Sequence, residues 1–168
     1  PEKDGEREKI SINIYRQNIM SLELKINNDI KEAMLAKEKT RLESLRAIKA
    51  AILLAKTSEG SSHEISDNDV LKIIQKLVKQ RKETAEIYKQ QNRPELAENE
   101  LTEAGFMEIY LPKQMTQEEI EQVLRQIMEK VGATKPSDMG KVMGVATKEL
   151  SGKADGRVIS ETVKRLLN

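Results

Sequence analysis

The sequence predicts an all-α protein of about seven helices, with a four-helix N-terminal part and a three-helix C-terminal part. Apolar residues recur at the helical period in one segment after another, and no stretch alternates with period two for long enough to suggest a strand. Aromatic residues make up only 2% of the 168 residues, so the core must be built from Leu, Ile, Val, Met and Ala, as in a helical protein. Capping and breaking residues punctuate the apolar stripes at helix-sized intervals.

Residues 1–19 are charged and polar, carry scattered Ile and Tyr, and precede Met20-Ser21. They read as a leader or added extension outside the fold. A first helix runs from Leu22 to Leu35, with Leu22, Ile26, Ile30 and Ala33 on one face. Thr40-Arg41-Leu42-Glu43 has the form of a capping box and should open a second helix with Leu42, Leu45, Ile48 and Ile52 facing inward. The Ser58-Glu59-Gly60-Ser61-Ser62 stretch ends it.

Ser66 is the N-cap of a long third helix, whose buried face is Val70, Ile73, Ile74, Leu77, Val78, Ala85 and Tyr88. Lys72, Lys76 and Lys79 fall on the opposite side. Arg81 projects into the apolar stripe, where an unpaired charge would cost several kcal/mol, so a structural ion pair is expected. Pro94 suits the first turn of a fourth helix reaching about Leu111, and Pro112 closes it. The domain 20–112 ends there, with a hinge near Pro112 to Thr116. The domain 113–168 follows.

That second domain opens on Thr116-Gln117-Glu118-Glu119, another capping box, leading a fifth helix with Ile120, Val123, Leu124, Ile127 and Val131 inward and Gly132 as its C-terminal cap. A sixth helix runs from Ser137 or Asp138 to Leu150. Asp155 caps a seventh, carrying Val158, Ile159, Val163 and Leu166. A helix-interior glycine costs about 1 kcal/mol relative to alanine. Gly140 and Gly144, on one face of the sixth helix, are therefore expected to mark close backbone approach by another helix or a ligand, and with Gly152 and Gly156 in the following turn they form the expected helix-packing motif.

Composition excludes several function classes. There is no cysteine, which removes disulfides, thiolate metal sites and a cysteine nucleophile. His63 is the only histidine and sits between Ser62 and Glu64, so neither a histidine triad nor a multi-histidine metal site can be assembled. No apolar run approaches the roughly 20 residues that span a bilayer, so no membrane association and a cytoplasmic location are expected. With one Phe and three Tyr, a stacking platform for single-stranded nucleic acid, which needs several exposed rings, is not expected. The carboxylates of Glu118, Glu119 and Glu121 are explained by capping and by exposed helix faces. No catalytic residue, metal or cofactor is assigned.

Charge is unevenly spread. From Gly132 onward seven Lys or Arg face four acids, a balance of +3, which leaves −2 on the rest of a chain whose net charge is +1. The stretch Leu71 to Arg93 holds seven Lys or Arg against Glu83 and Glu86. Either patch taken alone reads as a solvated helix face, yet both could meet phosphates. In the C-terminal part Lys141, Lys148, Lys153 and Arg157 lie near helix N-termini, whose amides favour anions, and are the expected RNA-binding residues.

Several ordered motifs carry a family resemblance. Asn92-Arg93-Pro94-Glu95-Leu96-Ala97, Tyr110-Leu111-Pro112-Lys113-Gln114, Gly132-Ala133, Asp138-Met139-Gly140-Lys141-Val142-Met143-Gly144 and Gly152-Lys153-Ala154-Asp155-Gly156, with Lys79-Gln80-Arg81-Lys82, resemble the GatB/YqeY family, as a stand-alone YqeY-like member, over Met20 to Asn168. The resemblance implies a C-terminal part similar to the tail of the aspartyl/glutamyl-tRNA amidotransferase B subunit, a tRNA-binding appendage. The implied function is a non-catalytic tRNA-binding, translation-associated module. The alternatives are an adaptor for a translation-related protein and a carbon–nitrogen ligase using glutamine as amido donor. The ligase lacks support in the residues: no Gly-rich phosphate loop is present, and the chain is too short for both amidotransferase chemistries.

Overall fold

The computed structural model describes residues 21–58 and 64–168; the leader 1–19, Gly60 and His63 lie outside them. Seven α-helices form among the described residues: α1 (Leu22–Leu35), α2 (Lys39–Thr57), α3 (Asp67–Gln90), α4 (Pro94–Glu108), α5 (Gln117–Val131), α6 (Met139–Glu149) and α7 (Gly156–Leu167). The chain divides into two compact units, Pro1–Val70 and Leu71–Asn168, so the division falls inside α3, whereas the sequence suggests one after residue 112.

In the first unit α1 and α2 form a helical hairpin with Ile26, Ile30 and Ala33 buried on α1 and Leu45, Ile48 and Ile52 on α2. Lys56 Nζ donates to Glu23 Oε1 at 2.6 Å, tying the end of α2 to the start of α1. The expected capping box at Thr40 does not form. Lys37 takes a left-handed φ of 57°, and the Glu38 N–H donates back to the Ala33 carbonyl at 3.0 Å. This tight reversal places the helix start at Glu38, so Thr40 is already helical and its carbonyl accepts from Ser44 Oγ. The Ser66 cap does form: its Oγ accepts the Asp69 N–H at 3.2 Å.

In the second unit α4 runs back along α3. Arg81 Nε donates to Glu103 Oε2 at 2.9 Å, with both side chains largely shielded, and Lys82 pairs with Glu108. The ion pair expected for Arg81 is therefore present. Pro94 occupies the first turn of α4, which stops at Glu108 rather than near Leu111. The last three helices enclose their own core: Ile120, Leu124 and Ile127 from α5, Val142 and Ala146 from α6, and Ile159, Val163 and Leu167 from α7. Both elements of the Thr116–Glu119 capping box are formed, and Gly132 closes α5 at φ 67°. The segment expected as a hinge is bonded to the α6–α7 loop: the Met115 N–H donates to the Lys153 carbonyl at 2.9 Å and Gln114 Nε2 to the Gly152 carbonyl at 2.8 Å.

Candidate functional site

The site grows out of two elements of the second unit. The first is α3, where Lys72, Lys76 and Lys79 stand four and three residues apart on one exposed face. The second is the α6–α7 loop. Gly152 turns it through φ 74°, and the Lys153 and Ala154 N–H groups both donate to the Leu150 carbonyl. Asp155 then opens α7, with Oδ1 accepting the Arg157 N–H at 2.8 Å. Its other oxygen, Oδ2, accepts Lys79 Nζ at 2.8 Å, across 76 residues of sequence.

Around this clasp lie two hollows. A groove of about 230 Å³ is lined by Lys72, Gln75, Lys76, Lys79, Asp155 and Gly156. Three ammonium groups face one carboxylate there, and among the described residues Lys72 and Lys76 have no carboxylate partner. Beside it, a hollow of about 470 Å³ has Val78, Leu111 and Val158 among its apolar walls. The cations lining it are all internally paired, as Lys79–Asp155, Lys82–Glu108 and Arg157–Glu161. The first hollow thus offers uncompensated positive charge, while the second offers apolar surface with balanced charge around it.

The clasp shifts both of its partners. The Lys79 ammonium, hydrogen-bonded to Oδ2, holds the Asp155 carboxyl below its ordinary value, helped by the Arg157 amide; in turn Asp155 raises Lys79. Asp138 is likewise lowered, chiefly by the Thr134 N–H and also by that of Lys135. A depressed carboxylate favours the fold above its unfolded value and loses that contribution as pH falls through the folded one. A raised lysine contributes fully below its unfolded value and loses the contribution only as pH rises through the folded one, in alkali. The clasp is therefore intact at neutral pH.

The expected RNA-binding residues are not gathered at one point. Lys141 is on the first turn of α6, 3.7 Å from Asp138 Oδ1. Lys148 is on the last turn of the same helix, about 10 Å further along its axis at 1.5 Å per residue. Lys153 is exposed in the loop just before Asp155, and Arg157, 78% exposed, begins α7 and pairs with Glu161 at 3.0 Å. Lys153 and Arg157 thus flank Asp155, the residue that holds Lys79, whereas Lys141 and Lys148 belong to α6. Both helix starts also differ from the expected open anion sites, since each already carries a carboxylate, Asp138 at α6 and Asp155 at α7.

The glycine expectation needs correction at three of four positions. A Cβ at Gly140, Gly144 or Gly156 would meet nothing within 4 Å, so no neighbouring helix approaches there. At Gly152 a Cβ would lie 3.3 Å from Leu71 Cδ1, on a backbone already left-handed. The α3 row belongs to the basic stretch Leu71 to Arg93, which the sequence marks as a patch that could meet phosphates without naming site residues in it, and nothing local reveals that the start of α7 lies opposite Lys79. Among the described residues no group of three or more His, Cys, Asp or Glu could hold a metal ion, and no helix is long and apolar enough to cross a membrane.

Comparison with known proteins adds identity. A family model described as Yqey-like protein matches residues 23–167. The chain is 27% identical over 146 residues to the protein named altered inheritance of mitochondria protein 41, mitochondrial, of Pyrenophora tritici-repentis, covering 85% of this chain and 79% of that one. The protein of the same name from Clavispora lusitaniae is 28% identical over 125 residues, covering 73% and 70%. That of Meyerozyma guilliermondii is 34% identical over 86 residues, covering 51% and 44%.

Proposed function

The chain belongs to the YqeY-like protein family, and from that premise we propose that it is a non-catalytic, translation-associated module that holds tRNA, or RNA of similar folded shape, by its phosphate backbone. One observation carries this: Lys72 and Lys76, without carboxylate partners among the described residues, line a groove with Lys79 beside the start of α7. Phosphate contacts of this kind supply affinity and position without reading base sequence. The scarcity of aromatic rings argues for recognition of backbone and shape over stacking on splayed bases. Lys153 and Arg157 extend the contact from the α7 side, and Lys141 and Lys148 form an outer contact along α6. The open faces of Gly140 and Gly144 leave the α6 backbone accessible to that same RNA.

The cytoplasmic location expected from the sequence belongs to this proposal. The relatives' names place those proteins in mitochondria, another compartment with its own translation. A second reading, an adaptor for a translation-related protein, draws support from the 470 Å³ hollow, whose apolar walls and internally paired charges suit a protein segment better than a polyanion.

Fluorescence anisotropy with labelled tRNA tests the RNA reading. The four contacts nearest the clasp, Lys72, Lys76, Lys153 and Arg157, alone give a slope of log K against log salt of about −3 to −4, so affinity should fall at least roughly a hundredfold between about 50 and 200 mM salt. Absence of binding at the lowest salt would overturn the reading. Retention of a protein partner after nuclease treatment, with no RNA bound, would favour the adaptor.

A further inference from the structure

We propose that Asp155 is a built-in competitor for the RNA phosphate: its carboxylate stands in the lysine groove as an internal anion and holds down the affinity of that groove for RNA. The inference rests on the groove being the RNA surface and concerns how that surface is tuned.

The geometry is specific. Asp155 lines both hollows and uses its two oxygens for different tasks. Oδ1 caps α7 through the Arg157 N–H, a task any short side chain with a carbonyl-type oxygen performs. Oδ2 takes Lys79 Nζ, the third lysine of the α3 row. Glu83 also raises the pKa of Lys79 and Arg157 lowers it, both more weakly than Asp155. A phosphate entering between Lys72, Lys76 and Lys79 must therefore share or displace Oδ2, and it meets the field of one negative charge at close range. Capping needs only the first oxygen, and Asn caps about as well as Asp. The negative charge is thus not needed for the cap; it holds Lys79 and acts on the groove.

Asp155→Asn separates the two tasks. The amide keeps an acceptor for the Arg157 N–H while removing the charge and freeing Lys79 for phosphate. Removing a unit charge some 6 Å from a phosphate in water is worth about a threefold gain in affinity at low salt. Lys79 then joins as one more released counterion, so the salt slope should steepen by about 0.9. Glu149→Gln, on the last turn of α6, is the control for one fewer negative charge elsewhere on the chain.

The measurement is tRNA anisotropy over a salt series for the wild-type chain and both variants, with thermal melts to confirm that each is folded. The expected result is tighter binding and a steeper slope for Asp155→Asn and neither for Glu149→Gln. Unchanged or weaker binding by a folded Asp155→Asn, or an equal gain in Glu149→Gln, overturns the proposal while leaving RNA binding standing. Failure of every variant to bind overturns the RNA reading itself, and the role of Asp155 with it.

Discussion

Leu124→Ala is expected to lower the unfolding free energy by about 2–5 kcal/mol, the largest single-residue effect foreseen here. Leu124 is 0% exposed and belongs to the cluster shared by α5, α6 and α7, with Ile120 and Ile127 on its own helix and Val142, Ala146, Ile159 and Val163 from the other two. Truncation removes its transfer free energy and leaves a cavity, because three short helices joined by tight turns have little freedom to close over it. The cost should fall towards the lower end of the range if α6, whose contribution is mostly Val and Ala, slides inward. Urea denaturation followed by circular dichroism checks the value. Leu54→Ala, at a side chain 70% exposed, is the contrast and should stay within about 0.5 kcal/mol of wild type.

Gly152→Ala comes next, with an expected loss of about 2 kcal/mol, while Gly144→Ala should instead gain roughly 0.5–1 kcal/mol. The two glycines look alike in sequence and differ in surroundings. At Gly152 the φ of 74° costs an L-residue about 1–2 kcal/mol, and the added methyl would press on the Leu71 side chain, which must yield. At Gly144, exposed within α6, the added methyl meets open space and removes only backbone freedom from the unfolded chain. Gly132→Ala isolates the two contributions, because it shares the left-handed backbone, at φ 67°, without any neighbour within 4 Å. It should therefore cost less than Gly152→Ala. Equal costs at positions 132 and 152 would show that Leu71 yields freely.

Much of the helical framework was legible because the signals are local. The stripe from Ile26 to Ala33, the reciprocal Thr116–Glu119 cap, the left-handed Gly132 and the Asp155 cap each depend on residues within one or two turns. Thr40-Arg41-Leu42-Glu43 shows the limit of such signals. The pattern of a capping box is present, but a left-handed Lys37 reverses the chain so soon after α1 that α2 has already started. Arg81 announced that it needed a carboxylate without naming it, since Glu103 is brought there only by the return of α4. Gly140 and Gly144 announced a helix-propensity cost, whereas what lies opposite them is a tertiary property, and in this chain it is open space.

The candidate site was the least legible part. Its lysines were visible on one face of α3 and its caps at the start of α7, but the Lys79–Asp155 bond joins positions 76 residues apart. Sequence spacing instead drew attention to Lys141 and Lys148, which the fold places near opposite ends of α6, together with Lys153 and Arg157, which flank Asp155.

The most direct test compares two charge-removal pairs in tRNA binding at equal salt: Lys72→Gln with Lys76→Gln, and Lys141→Gln with Lys148→Gln. If the α3 groove is the principal phosphate-binding surface, the first pair should weaken binding at least roughly tenfold near 0.1 M salt and make the salt slope shallower by about 1.8, with the melting temperature preserved. The second pair should have the smaller effect on both readouts. An α6 pair that loses as much affinity as the groove pair, or a groove pair that binds tRNA like the wild-type chain, would contradict it.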